Sequence, residues 1–313
     1  MKKLVTIITL TYKKYDHLFE TIDSVLKQDY DNIEYIISDD GSADFPQEKI
    51  TDYLKKRTSI RFQVIHHGEN CGTVRNINNA CKFSHGEIIM PLSCGDVFFC
   101  DNTVSQIVER MENLKSNLLV TSRLVYEGDK QPLYYLPHRK VIPKILSWNN
   151  EKQYEAFITS RYWDMASGSA MYYSKKILEE LNYFDEEYIL WEDGPFLKKY
   201  LKDHKLDCAY DIISIWYESG GVSTSKNTNV LLLNDIETLG NSICETEYDS
   251  NNRKIKRWIK YLEARKKNNG IFGLLRLRLI YPDIIFSRMV YQVMKRIYKK
   301  NEIRSVSNNH KNK

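Results

Sequence analysis

Short apolar runs alternate with segments of helical periodicity over the first hundred residues. Four runs of six or seven residues, at 4–10, 33–38, 61–66 and 87–92, have the length and β-branched content of buried strands. Between them, apolar residues recur every three or four positions, as in Leu18, Ile22 and Val25, and predict amphipathic helices. This βαβαβαβ order predicts an α/β fold with a mostly parallel, doubly wound sheet flanked by helices.

The middle of the chain is less regular. Residues 118–125, 169–173 and 208–216 have strand patterns, and two short helices are expected between the last two of them, at 175–181 and 194–203. Residues 127–148 are rich in Pro, Tyr and basic side chains, and we expect them to form a long surface excursion. After Asn227 the pattern is helical to about residue 300.

Composition limits the class of protein. Of the 313 residues, 42% are hydrophobic, which indicates a globular chain. The six cysteines form no CxxC pair, so they favour reduced thiols over a zinc site or a disulfide framework. No stretch reaches the roughly 18 apolar residues that a spanning helix needs, and the N-terminus lacks a signal-peptide pattern. We therefore expect a cytoplasmic protein.

Charge is distributed unevenly. From Arg253 onwards there are 18 Lys and Arg against 3 Asp and Glu, a net charge of +15. The first 252 residues hold 28 basic and 38 acidic residues, a net charge of −10. The basic segment predicts contact with an anionic membrane surface at the inner face of the cell membrane. Packing on the rest of the protein or on a second copy is the alternative, and nucleic acid is disfavoured because no recognised motif accompanies the charge.

Polar segments follow the predicted strands at 9–12, 39–42, 70–76 and 93–96. In a doubly wound sheet, ligands bind at the carboxyl ends of the strands, so these segments predict one binding crevice. The chain has neither GxGxxG after its first strand nor GxxxxGK[ST]. That absence argues against a dinucleotide dehydrogenase and a P-loop enzyme.

The ordered segments VTIITLTY, ISDDGS, NCGTVRN, LSCGD and LWED resemble the inverting family 2 glycosyltransferases of the GT-A fold, over about residues 1–225. The resemblance implies a Rossmann-like sheet, a nucleotide-sugar donor, Mn²⁺ or Mg²⁺, and one catalytic carboxylate. It also implies a donor-binding half at 1–100, a catalytic and acceptor-binding half at 101–226, and a basic helical extension at 227–313.

Four residues match the donor contacts of that family. Thr11 and Tyr12 match the exit of the first strand, where a hydroxyl and a stacking ring meet the nucleoside; otherwise Tyr12 is a core aromatic. Asp40 would accept a hydrogen bond from the imide of uracil, and its alternative is a turn-forming role, which we favour for Asp39. Arg75 would bind the diphosphate, unless it forms a surface salt bridge.

The metal-binding segment departs from the family pattern. Ser93 and Gly95 stand at the two positions where family members commonly carry Asp, so Asp96 is the remaining candidate ligand. One carboxylate can still serve, because Mg²⁺ keeps several waters and takes few protein ligands. The alternative is that Asp96 caps the next segment.

The resemblance makes Asp193 the general base, which removes the proton of the attacking acceptor hydroxyl. A helix N-cap is its structural alternative. Glu192 and Trp191 would support it or meet the acceptor, as would 163–164 and 168–169. The loop 220–223 would lie near the diphosphate. The chain is thus predicted to be an inverting hexosyl-type glycosyltransferase in surface polysaccharide synthesis, acting on a glycan or polyprenyl-linked acceptor.

Two other functions compete with this one. A degenerate GT-A protein that acts only as a binding or scaffold subunit would explain Ser93 and Gly95. A sugar nucleotidyltransferase should carry a Gly-rich phosphate loop with Lys or Arg after the first strand. This function is disfavoured, because 11–16 contain two lysines but no glycine. A homo-oligomer is compatible with each of the three.

Overall fold

A computed structural model describes residues 2–128, 131–159, 165–219, 229–268 and 270–311. Within these ranges, nine strands form one sheet with the order β3-β2-β1-β4-β8-β6-β9-β5, and β7 pairs with β6. The strands are β1 (Val5–Thr11), β2 (Ile33–Asp39), β3 (Arg61–His66), β4 (Ile88–Pro91), β5 (Val97–Phe98), β6 (Leu118–Glu127), β7 (Gln131–Leu136), β8 (Met171–Ser174) and β9 (Asp207–Glu218).

Helices cover both faces of the sheet and continue to the C-terminus. They are α1 (Leu18–Leu26), α2 (Gln47–Arg57), α3 (Thr73–Phe83), α4 (Thr103–Leu114), α5 (Ile142–Leu146), α6 (Asn150–Ile158), α7 (Lys175–Glu180), α8 (Asp193–Asp203), α9 (Val230–Thr246), α10 (Arg253–Lys267), α11 (Gly270–Ile280) and α12 (Pro282–Lys311). No helix in the described part of the chain has the length and apolar character to cross a membrane.

The predicted α/β class is confirmed. β1 runs parallel to β2 and β4, and β2 runs parallel to β3. Antiparallel β8 joins this parallel half to β6, which is itself parallel to β9. The carboxyl ends of β1 and β2 therefore lie side by side, with Thr11 opposite Asp39.

Two hydrophobic cores lie on opposite faces of the sheet. Successive side chains of a strand point to opposite faces, so Ile8 of β1 joins one core while Val5 and Ile7 join the other. Helices α3, α8 and α10 cover the first face, and α1, α2 and α4 cover the second. Burial on both faces explains why the strands are almost continuously apolar.

The expectation of a long surface excursion over residues 127–148 was wrong. This segment contains β7, which pairs antiparallel with β6, and the short helix α5. The Pro, Tyr and basic side chains of the segment suggested a loop, yet a proline such as Pro132 is tolerated in a strand at the edge of a sheet. The two-residue strand β5 was also missed, because it is too short for a periodic pattern.

The C-terminal helices divide into two parts. Helices α9 and α10 pack on the first core through Leu239, Ile243, Ile255 and Trp258. Helix α12 lies against β7, where Glu302 accepts hydrogen bonds from the backbone N–H groups of Tyr135 and Arg139. The basic segment thus packs on the rest of the protein, one of the two arrangements predicted for it, although much of α11 and α12 stays exposed.

Candidate functional site

The turn after β2 is built around a buried carboxylate. Asp39 accepts hydrogen bonds from the backbone N–H and the hydroxyl of Ser42, both at 2.8 Å, and His66 Nδ1 lies 2.9 Å from it. Gly41 has a φ of +74°, and a Cβ there would lie 2.3 Å from the backbone carbon of Glu69. Asp39 therefore has the turn-forming role expected of it, and Gly41 lets the turn approach the next loop.

Asp40 braces the loop that leads into α3. Its Oδ1 accepts a hydrogen bond from Cys71 N at 2.8 Å, and its Oδ2 accepts one from Gly72 N at 3.0 Å. The Cys71 thiol also donates to Oδ1, at 3.0 Å. Each carboxylate oxygen has two lone-pair sites, so Oδ2 alone keeps an acceptor position. The predicted contact with a uracil imide stays a prediction, and the structure adds a bracing role for the same side chain.

The exit of β1 places Thr11 and Tyr12 beside this turn. Thr11 O accepts a hydrogen bond from Asp40 N at 3.0 Å, while its hydroxyl donates to Lys14 O at 3.1 Å. Tyr12 is 40% exposed, and Lys13 Nζ lies 4.8 Å from its ring centroid. The alternative of a core aromatic is thereby excluded for Tyr12, whose ring is accessible to a planar ligand.

Arg75 lies in the first turn of α3, and 59% of its side chain is exposed. Its Nε is 3.7 Å from Oε2 of Glu186, a separation typical of a weak surface ion pair. Arg75 can leave such a weak contact for an anion that it binds more tightly. The structure shows the surface ion pair that was its alternative, and a diphosphate contact remains a prediction.

Asp96 is buried in the turn between β4 and β5, only 4% exposed. Burial raises its pKa to about 7; the charge of Arg123 acts to lower this pKa and that of Glu218 to raise it. Asp96 Oδ1 accepts a hydrogen bond from Glu218 N at 3.2 Å. The described ranges contain no group of three or more His, Cys, Asp or Glu side chains able to hold a metal ion.

Asp193 is the first residue of α8, and Glu192 occupies the cap position without a side-chain cap bond. Asp193 Oδ2 accepts a hydrogen bond from Gly168 N at 2.6 Å. A Cβ on Gly168 would lie 2.7 Å from the same oxygen and 3.1 Å from Glu192 Oε1. The expected N-cap alternative is therefore not what the structure shows, because the backbone of Gly168 holds the Asp193 carboxylate.

Glu192 and Asp193 occupy different electrostatic positions. Burial and the neighbouring charge of Asp193 raise the pKa of Glu192 well above its ordinary value of 4.5. A carboxyl group with such a raised pKa keeps its proton to a higher pH than an ordinary glutamate. Trp191 lies across the first turn of α8, since a Cβ on Gly194 would be 2.5 Å from its ring.

Three further residues at the site were missed by the sequence analysis. Asp235 of α9 accepts hydrogen bonds from the backbone N–H groups of Ile189, Leu190 and Trp191, at 2.7 to 3.2 Å. Arg123 of β6 is buried, donates to Ser169 Oγ at 2.6 Å, and leaves its Nε without a hydrogen-bond partner in the described structure. Glu218 ends β9 beside Asp96. None of them lies in a recognisable motif.

The structure places the predicted residues in two groups, which we name the donor side and the base side after the roles predicted for them. Thr11, Asp40 and Asp96 lie at the carboxyl ends of neighbouring strands. Val74 N donates to Ile189 O at 3.1 Å, so the start of α3 contacts the loop that precedes Glu192 on the base side. The expected acceptor contacts Trp163 and Asp164 lie outside the described residues, as does the loop 220–223 that was expected near the diphosphate.

Comparison with known proteins gives consistent matches. Residues 6–182 match the model of glycosyl transferase family 2. Glycosyltransferase GlyG of Streptococcus pneumoniae is 23% identical over 135 residues, which cover 43% of this chain and 44% of GlyG, so this match spans less than half of that relative. The UDP-Glc:alpha-D-GlcNAc-diphosphoundecaprenol beta-1,3-glucosyltransferase WfaP of Escherichia coli is 26% identical over 273 residues, 84% of this chain and 99% of WfaP.

A solved structure shares the fold. The mannosyltransferase PcManGT from Pyrobaculum calidifontis, in complex with GDP-Man and Mn²⁺, superposes with a TM-score of 0.58 at 12% identity. The superposition covers 96% of this chain and 85% of PcManGT. At this identity the likeness establishes the fold alone.

Proposed function

Since the chain belongs to glycosyltransferase family 2, we propose that it transfers a sugar from a UDP-sugar to an acceptor hydroxyl, with inversion at the anomeric carbon. One observation carries the proposal: the Asp193 carboxylate is held by the Gly168 N–H at 2.6 Å, next to a glutamate whose pKa is raised. The hydrogen bond orients a proton acceptor, as a general base requires.

Asp193 takes the proton of the acceptor hydroxyl as its oxygen attacks the anomeric carbon. The bond between that carbon and the diphosphate oxygen breaks on the opposite face, and its electron pair leaves with the nucleoside diphosphate. Protonated Glu192 adds no second negative charge to this space, and therefore favours the ionised form of Asp193.

The donor would lie along the strand ends. Tyr12 offers an exposed ring for the nucleobase, and Oδ2 of Asp40 keeps one acceptor position that suits the imide N–H of uracil. The donor that the name of WfaP specifies, UDP-Glc, supports the same choice of nucleobase. Arg75 would exchange its weak ion pair with Glu186 for the diphosphate.

A divalent cation, Mn²⁺ or Mg²⁺, would supply positive charge for the leaving diphosphate when bound. The buried oxygens of Asp96 suit such a hard cation, which prefers carboxylate ligands. PcManGT, which shares the fold, holds Mn²⁺ together with its donor.

We propose a lipid-linked diphosphate glycan of a surface polysaccharide as the acceptor, because the name of WfaP specifies such an acceptor. Large apolar side chains lie exposed on α11 and α12, among them Phe272 at 88% and Leu279 at 82%. With the net charge of +15 from Arg253 onwards, they would bind an anionic membrane surface, where a lipid-linked acceptor resides.

Replacement of the base tests the proposal most directly. Asp193→Asn should lower the rate of sugar transfer by at least about 10²-fold, since general-base catalysis contributes roughly 10²–10⁴-fold. Its affinity for UDP should stay close to that of the wild type, because Asp193 lies on the base side. Hydrolysis of UDP-sugars and transfer to a lipid-linked acceptor are the activities to measure.

Asp203→Asn, at the exposed far end of the same helix, is the matched control and should behave as the wild type. Thermal-shift titrations with UDP, GDP, CDP and dTDP, with and without Mn²⁺, identify the nucleobase of the donor. Normal turnover by Asp193→Asn would exclude Asp193 as the general base. Absence of binding to all four nucleotides would instead favour the non-enzymatic scaffold.

A further inference from the structure

Gly95 stands in the predicted metal-binding segment, at one of the two positions where the family commonly carries Asp. Its φ is +97°, a conformation that favours glycine. A Cβ built on Gly95 would lie 2.8 Å from Oε2 of Glu218. The carboxylate of Glu218 therefore occupies the place that a side chain at position 95 would take.

The sheet fixes this placement. β5 pairs antiparallel with β9, with Val97 opposite Trp216, so the turn before β5 lies beside the end of β9. Glu218 N donates to Asp96 Oδ1 at 3.2 Å. Tyr126 of β6 lies opposite Glu218 in the ladder and donates its hydroxyl to Gly95 O at 3.2 Å. Three strands thus bring the two carboxylates to one place.

The charges at this place call for a counter-ion. Asp96 is buried, whereas 38% of the Glu218 side chain is exposed, so one carboxylate is enclosed by protein and the other is partly accessible to solvent. His17 Nε2 lies 3.6 Å from Glu218 Oε1, beyond hydrogen-bond distance. The charge of buried Arg123 acts on Asp96. Two adjacent carboxylates repel each other, and a cation between them would offset this repulsion.

We propose that Glu218 supplies the second carboxylate of a divalent-cation site with Asp96, in place of the side chain absent at Gly95. This inference rests on the proposed function, because the cation would serve the diphosphate of the donor. Two carboxylates fit Mg²⁺ or Mn²⁺, which take few protein ligands and complete their shell with phosphate oxygens and water. The cation should therefore bind more tightly when a nucleoside diphosphate is present.

The test is a Mn²⁺ titration of the full chain, with and without UDP, followed by the electron paramagnetic resonance signal of free Mn²⁺. With UDP present, Glu218→Gln should raise the Kd for Mn²⁺ at least ten-fold, as should Asp96→Asn. Glu218→Asp keeps the charge but shortens the side chain and should give an intermediate Kd. Glu127→Gln is the control, because neighbouring residues of a strand point to opposite faces and Tyr126 faces Gly95.

The outcomes separate the two proposals. Equal Mn²⁺ affinity for Glu218→Gln and the wild type, with both folded by thermal unfolding, would overturn the role of Glu218 while leaving sugar transfer intact. Tight UDP binding by the wild type with no effect of Mn²⁺ would also overturn it. If the wild type bound no UDP under any condition, the proposed function itself would fail. A loss of Mn²⁺ affinity confined to the Asp96 and Glu218 variants would support the site.

Discussion

The neighbouring carboxyl groups of Glu192 and Asp193 acquire different properties from their contacts. Asp193 receives the backbone N–H of Gly168, which favours its ionised form, since a hydrogen bond to a carboxylate stabilises the charge. Glu192 is half-buried beside Asp193, and its pKa is raised. One backbone contact therefore distinguishes Asp193, the proposed base, from the acid next to it.

The raised pKa of Glu192 predicts a pH-dependent stability. Between the ordinary pKa of 4.5 and the raised pKa, the folded protein keeps a proton that the unfolded chain has lost. The folded state binds more protons in this window, so stability falls as pH rises through it. Glu192→Gln cannot titrate, and the wild type should lose more free energy of unfolding than this variant between pH 5 and pH 8.

Urea unfolding at the two pH values measures this difference. Glu187→Gln, a nearby exposed position, is the control and should follow the wild type. A parallel pH profile for the wild type and Glu192→Gln would show that Glu192 is ionised in the folded protein.

At the scale of elements, α9 holds the loop that precedes Asp193, the proposed base. Asp235 is buried and receives three consecutive backbone N–H groups, from Ile189 to Trp191, immediately before Glu192. Gly72 at the start of α3 touches the same loop, since a Cβ there would lie 2.8 Å from Ile189 O. The loop is thus fixed from two sides, by the donor half and by a C-terminal helix.

Asp235→Asn should disturb this loop without touching the reacting groups. The amide replaces one acceptor oxygen by a donor that faces backbone N–H groups, leaving buried donors unsatisfied. Such a loss costs roughly 1–3 kcal/mol of stability. We expect a lower free energy of unfolding in urea and a lower kcat, with little change in UDP affinity.

Glu237→Gln, two residues along the same helix and exposed, is the control. If Asp235→Asn turned over and unfolded like the wild type, α9 would not position the base. The boundary drawn at residue 227 remains a prediction, and a role for Asp235 would tie both sides of it to one reaction.

At the scale of the whole molecule, the C-terminal helices combine positive charge with exposed apolar surface. Phe272, Leu279 and Ile271 of α11 are exposed, and Arg276 and Arg278 lie on the same helix. A helix that is apolar on several faces is normally covered. An anionic lipid surface would attract the basic side chains and would bury the apolar ones.

Vesicle binding tests this surface. The double variant Phe272→Ser with Leu279→Ser should bind phosphatidylglycerol vesicles at least ten-fold more weakly in co-sedimentation. Full burial of each side chain would contribute roughly 1.5–3 kcal/mol. Binding should also weaken at high salt, because the charge attraction is screened.

Phe83→Ser, which removes an exposed aromatic from α3, is the control. Equal sedimentation with neutral and anionic vesicles would exclude a role for the charge. Dimerisation of the wild type that the double variant abolishes would show that a second copy covers α11 instead of lipid.

The sequence predicted much of the fold because the relevant signals are local. Strands β1 to β4 and helices α1 to α3 have apolar periods that can be counted along the chain, and their alternation implies a parallel sheet. Strand β5 and strand β7 escaped, since a two-residue strand has no period and an edge strand containing Pro132 looks like a loop.

The sequence by itself determined the α/β class, the polar segments at the strand ends and the candidates Asp40, Asp96 and Asp193. Only the tertiary structure decided their partners, because these contacts join residues far apart in the chain. Glu218 meets Asp96 across 122 positions, and Asp235 meets Leu190 across 45. Such pairs follow from strand order and helix packing, which bring together side chains that no local pattern connects.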